Sequence, residues 1–314
     1  MSNNVSRRDF VKSVGCGLAG LSLLAVDGCG VVKGRSKKYL ILDSGHGGNT
    51  TGATALGVNK YSKIFADLAG KVVDTGCFYE DEIAYDVLSR VVSADKDRVG
   101  KDNFEVLPII IDEESGHEPL DVLVNGYDEH VVKDGKSVGC TVGNRVNAVN
   151  ALRDRLVNNN QVSQNDIYLL SVHVNSESMM NGGAFFVYPS SNIYGNQESE
   201  RKSVKFGQDL LDRLKDQGVS IHGGLGFKID DLANFRIMEM GKDLLNGRSN
   251  RAKFTMYDAE DRASLDLFGK TPGIERKVIL EIGNMKSPAD LVRLNDPKYR
   301  EKIASGIMDY MYKV

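Results

Sequence analysis

The chain has 314 residues, of which 41% are apolar and 26% charged, so it holds one large domain or two small ones and has material for a sizeable core. Lys and Arg (40) nearly balance Asp and Glu (43), and a net charge of -3 lacks the basic excess of a protein whose main partner is nucleic acid. Four cysteines without CxxC spacing exclude a disulfide scaffold and a paired-cysteine zinc site, and no apolar run reaches the ~20 residues of a spanning helix.

The first thirty residues read as an export address. Ser6-Arg7-Arg8-Asp9-Phe10-Val11-Lys12 precedes the mostly apolar stretch from Ser13 to Val26, which has no polar face and so does not suit an amphipathic first helix. The segment resembles the twin-arginine signal, S-R-R-x-F-V/L-K. It ends at Val26-Asp27-Gly28-Cys29, similar to a lipobox with Cys29 as the lipidation position, although Asp27 stands where a small residue is usual. A plain cleaved signal and an uncleaved anchor are the alternatives. The expected organisation is a signal over 1–28, a tether over 29–37 and one domain over 38–314. The expected location is extracytoplasmic, in the periplasm or cell envelope, with membrane anchoring through the N-terminal lipid or signal.

Past the tether, Tyr39 to Leu42 is an apolar run rich in β-formers. Phe104 to Ile111, Ile167 to Val174 and Lys277 to Ile282 are like it. Continuous apolar strands are those buried on both faces, as in a parallel sheet. Helical stripes alternate with them: Ile83, Val87, Leu88 and Val91; Val146, Val149, Leu152 and Leu156; Val204, Leu210, Leu211 and Leu214; Tyr299, Ile303, Ile307 and Met311. The pattern predicts a three-layer α/β domain whose mostly parallel central sheet is flanked by helices. Asp112 to Cys140 reads as an insertion over a sheet edge, and Gly218 to Asn250 as surface loops.

The chemistry gathers at strand ends. The first run ends in Asp43-Ser44-Gly45-His46-Gly47-Gly48, the third in Ser171-Val172-His173-Val174-Asn175-Ser176, and the last carries Glu281. Ligands of open parallel sheets sit beyond the carboxyl ends of the strands, so these groups converge on one rim. A Glu inside an apolar strand is costly to ionise unless a cation or a donor meets it. Two histidines with carboxylates suit zinc, with three protein ligands and an open position. Each feature has a plainer reading: a packed histidine, a glycine turn, a Glu paired with Arg or Lys. Taken together they support a metal-dependent hydrolase.

Leu42-Asp43-Ser44-Gly45-His46-Gly47-Gly48 resembles the D-P-G-H-G-G signature of the zinc-dependent N-acetylmuramoyl-L-alanine amidases, the amidase_3 family. Ser171 to Ser176 is similar to that family's S-I-H-A-N segment, Val278 to Gly283 to its hydrophobic-E-x-G strand, and Ser287 to Ile307 to its closing segment. The resemblance covers most of residues 38–314. It implies that His46 and His173 are zinc ligands, with the second ligand a Glu opening the first helix. In Tyr79-Glu80-Asp81-Glu82-Ile83-Ala84-Tyr85 the best register makes that ligand Glu80; Glu82 points to another helix face, so only one of the two can serve. The resemblance further implies that Glu281 is the catalytic glutamate, and that Arg145 resembles an arginine whose expected role here is a structural salt bridge.

The implied function is a peptidoglycan hydrolase that cleaves the amide between N-acetylmuramic acid and L-alanine with a zinc-activated water. Zn2+ is the cofactor and peptidoglycan the partner. Two rivals stand beside it: a zinc peptidase or deacylase with another substrate, and a non-catalytic wall-binding lipoprotein. Ser44 replaces the family's proline and Gly283-Asn284-Met285 a G-F-L-like stretch. The 112–140 segment exceeds the usual connection and is a candidate lid. His117, His130 and His222 read as surface residues. Cys77 and Cys140 either pair in an oxidising compartment or stay as small buried apolar residues.

Overall fold

The computed structural model describes residues 36–45, 80–98, 103–113, 115–121, 123, 130–132, 138–159, 161–175, 182–189, 196–222 and 267–314. The expected signal over 1–28, Cys29, His46, Cys77 and most of the 218–250 stretch lie outside the described residues. In chain order the strands are β1 (Lys38–Ser44), β2 (Phe104–Pro108), β3 (Ile110–Asp112), β4 (His130–Val132), β5 (Val138–Gly139), β6 (Ile167–Asn175), β7 (Phe185–Val187) and β8 (Arg276–Asn284). The helices are α1 (Glu80–Asp97), α2 (Val142–Asp154), α3 (Gln197–Asp216), α4 (Pro288–Asn295) and α5 (Pro297–Lys313). Among the described residues no helix is long and apolar enough to cross a membrane.

The main sheet runs β2-β1-β6-β8-β7. Its first four strands are parallel and β7 joins β8 antiparallel, which is the expected mostly parallel sheet with one reversed edge. Strand alternation divides the flanking layers. Tyr168 meets Phe206 of α3 and Tyr310 of α5 edge-on, whereas Ser171, three residues on, faces Arg145 of α2. Helices α1, α3 and α5 therefore cover one face, with α5 packed against the other two, and α2 covers the opposite face. Leu40, Ile41 and Leu42 in the centre are fully buried, as a strand covered on both sides requires.

The Phe104 to Ile111 run is two strands rather than the single one expected. Pro108 has no N–H to extend a ladder; after it the Ile109 N–H still donates to Leu42 O at 3.0 Å, and the chain then leaves to form β3. Strands β3, β4 and β5 make a small antiparallel sheet of their own, so the 112–140 insertion begins as an ordered element. Its Leu120 is tied to the main body: the N–H donates to Asp86 Oδ1 at 2.6 Å, and the carbonyl accepts from Arg90 Nη2 and Arg300 Nη2, each at 2.8 Å. Arg300 is fully buried on α5, with its Nε on Asp86 Oδ2. This arginine links α1, α5 and the insertion.

Candidate functional site

Strands β1, β6 and β8 end on the same rim, and their register sets the row found there. His173 pairs with Glu281, and Glu281 pairs on its other side with Phe185. The Gly45 N–H donates to Val172 O at 2.6 Å, which brings the last described residue after β1 beside His173. Neighbouring strands lie about 4.8 Å apart, so side chains of one row on one face are in reach of each other. His173 is buried and Glu281 half-buried.

Glu80 opens α1 over this rim. Its Oε1 accepts from the Val174 N–H at 3.0 Å and lies 3.0 Å from His173 Nδ1. Both side chains are more than nine-tenths buried. At 3.0 Å the two atoms are at hydrogen-bond distance, a few tenths of an ångström short of the roughly 3.3 Å between donors on one tetrahedral zinc, so the pair is compatible with two positions of such a site. His46, the third expected ligand, lies outside the described residues, directly after Gly45 in the chain.

Gly45 has a steric reason to be glycine. A Cβ built there falls 2.4 Å from His173 Nδ1, so the backbone lies directly on the imidazole. Gly45→Ala is expected to push the ring away from Glu80 and cost about 1–3 kcal/mol of stability. Urea midpoints of the two chains, together with zinc content, measure it; an unchanged midpoint contradicts the close packing.

Beneath the row is an ion pair sealed from water. Arg145 Nε donates to Asp43 Oδ1 at 2.8 Å, Nη2 donates to Asp43 Oδ2, and Nη1 donates to the Gly45 carbonyl. Ser171 Oγ adds a donor to Asp43 Oδ2 at 2.6 Å. Asp43 is fully buried and Arg145 nearly so. Desolvation opposes the arginine's charge, but the Asp43 carboxylate outweighs it and holds the guanidinium above its ordinary pKa. The helix that supplies Arg145 is started by Thr141, whose side chain accepts from the Asn144 N–H at 3.3 Å. The salt bridge expected for Arg145 is present, and it fixes the turn that leads to His46.

The next residues of α1 face a different partner. Asp81, Glu82 and the imidazole of His130 on β4 form a buried group. His130 Nδ1 lies 3.8 Å from Asp81 Oδ2, and Nε2 lies 3.7 Å from Asp112 Oδ2. The Tyr85 ring covers the imidazole with centroids 4.1 Å apart, and the Cys140 thiol donates to the His130 carbonyl at 3.0 Å. Desolvation, with Glu82 adding to it, pushes Asp81 up to about 8; desolvation pulls His130 down to about 4 against the opposing pull of Asp112. The expectation that His117 and His130 are surface residues is corrected: both are buried, His117 with its Nε2 2.8 Å from Ile110 O. The only sign in the sequence was that His130 adjoins Val131-Val132, too short a run to read as a strand. His222 is half-buried, its ring edge-on to Phe185 at 5.8 Å. Cys140 is a free buried thiol.

No protein-family model matches the chain, and no curated protein does. Solved structures similar to it include an N-acetylmuramoyl-L-alanine amidase from Clostridium difficile 630, 12% identical, covering 88% of this chain and 96% of that one with a TM-score of 0.47. An N-acetylmuramyl-L-alanine amidase from Mycobacterium smegmatis is 17% identical over 90% of this chain and 100% of that one, TM-score 0.46. The catalytic domain of an amidase of the same name from Bacillus (Paenibacillus) polymyxa var. colistinus is 15% identical over 88% and 97%, TM-score 0.43.

Proposed function

We propose that this chain is a zinc-dependent N-acetylmuramoyl-L-alanine amidase that hydrolyses the bond between the lactyl group of muramic acid and L-alanine in peptidoglycan. The observation that carries the reading is the meeting of Glu80, His173 and Glu281, residues about 90 and 110 positions apart in sequence, on one rim of a parallel sheet. The ordered sequence motifs supply the substrate. His46, Glu80 and His173 would hold the metal, which when bound would polarise the scissile carbonyl and acidify water.

The protein's own part is positioning and proton transfer. Glu80 is held in place by the Val174 N–H, which keeps its carboxylate beside the His173 imidazole at the rim. Glu281, one strand from His173, takes a proton from the attacking water and returns it to the departing alanine nitrogen, which leaves as a neutral amine. The buried Asp43–Arg145 pair anchors the Gly45 carbonyl and with it the turn preceding His46. The segment resembling a twin-arginine signal would direct the enzyme to the cell envelope, with lipidation at Cys29 or an uncleaved signal as the means of holding it at the membrane.

Dye release from labelled sacculi tests the activity, and mass analysis of the products tests the bond. The expected result is zinc-dependent solubilisation that yields stem peptides with a free L-alanine amino terminus and intact glycan strands. Release that survives chelation, or products cut within the glycan or inside the peptide, overturns the proposal. His46→Ala is expected to lose both this activity and the zinc bound at the rim.

A further inference from the structure

The Asp81–Glu82–His130 cluster has no part in the reaction above, yet it is built from metal-ligating side chains. Asp81 is 0% exposed, and its carboxylate oxygens make no well-formed hydrogen bond: the N–H groups of Asp81 itself and of Glu82 lie near enough to favour the charge, and among the described residues no side chain donates to it. His130 is 2% exposed, and its Nδ1, aimed at that carboxylate, likewise has none. One donor atom from each of Asp81, Glu82 and His130 falls within 4.8 Å of the others. Burying a carboxylate with so little compensation costs several kcal/mol: desolvation outweighs the two nearby backbone N–H groups, and a histidine nitrogen 3.8 Å away does not repay the rest.

We propose that Asp81, Glu82 and His130 bind a second divalent ion, one with a structural role, which fastens the first turn of α1 to β4 of the insertion. The donor set names the class of ion. An imidazole nitrogen among carboxylates favours a transition-series ion, zinc first, over calcium or magnesium, which take oxygen. Closing around zinc requires the donors to draw together by up to about 1.5 Å, from within 4.8 Å to the roughly 3.3 Å between donors on one zinc. Asp112 already stands behind the imidazole at Nε2, where a carboxylate orients a ligating histidine, and Tyr85 shields the ring face. An ion there joins two elements far apart in sequence and steadies the turn that carries Glu80. The inference goes beyond the amidase reading and needs no catalytic step.

Zinc per full-length purified chain, by mass spectrometry after exhaustive dialysis, tests it. The wild type is expected to hold two equivalents, His173→Ala one and Asp81→Asn one. In the His173→Ala background added zinc is expected to raise the thermal midpoint, and Asp81→Asn introduced there to abolish the rise. One equivalent in the wild type with none in His173→Ala overturns the second site, whatever Asp81→Asn does. One equivalent that His173→Ala keeps and Asp81→Asn loses upholds it while removing the metal assigned to the rim. If the Asp81 variant fails to fold, His130→Gln takes its place in both measurements with the same expected losses.

Discussion

Glu281→Ala is expected to leave the zinc content of the chain unchanged and to lower hydrolysis of sacculi by about 10²–10⁴-fold, the usual contribution of a positioned general base. The position of the residue separates the two properties. Glu281 sits on β8 in register with His173 and shares its row, but it is Glu80 whose carboxylate oxygen stands 3.0 Å from the imidazole. Removing Glu281 therefore takes away a proton acceptor while Glu80 and His173 stay in place. Glu281→Gln, which keeps the shape and the burial, is expected to be as inactive as the alanine variant, because shape without basicity transfers no proton. Inductively coupled mass spectrometry and dye release on the same preparations separate metal loss from loss of chemistry. Undiminished hydrolysis by either variant refutes the role given to the residue.

The second large effect is on stability. Arg145→Ala strands the Asp43 carboxylate, which is fully buried, with Ser171 Oγ as its remaining hydrogen-bonded side chain. Breaking one half of a buried ion pair costs about 3–5 kcal/mol, a large fraction of the 5–15 kcal/mol that holds a typical domain together. The same substitution releases the Gly45 carbonyl, so zinc retention is expected to weaken together with folding. Urea unfolding of Arg145→Ala and of the double variant Asp43→Asn/Arg145→Met distinguishes pairing from packing. The double variant is expected to recover most of the loss, since two neutral groups of similar volume replace two charges. A loss below about 1 kcal/mol in Arg145→Ala contradicts the role of the pair.

Much of this architecture was written in local patterns. The runs around Leu40, Leu169 and Leu280 and the stripes on α3 and α5 report burial directly, because a strand covered on both faces must be apolar throughout and a helix covered on one side along one stripe only. The stripe on α1 understates its burial, since every residue from Glu80 to Val92 is buried, polar ones included. That the polar ends of β1 and β6 and Glu281 on β8 share a rim follows from parallel topology. Where a pattern was short, the sequence was silent. The three residues of β7 are too few to show alternation, and nothing in Phe104 to Ile111 marks the departure at Pro108 except the proline itself.

The sequence by itself determined the four parallel strands of the sheet, the helices α1, α2, α3 and α5 and which strand ends carry polar groups, since each of these depends on residues near one another in the chain. Only the tertiary structure decided how three consecutive acids of α1 divide their work. Glu80 turns to His173, while Asp81 and Glu82 turn to His130. Successive helical residues point about 100° apart, and what each one meets depends on strands that enter from elsewhere in the chain. The burial of His117 and His130 has the same cause: a short polar stretch shows its surroundings only after a distant surface has closed over it.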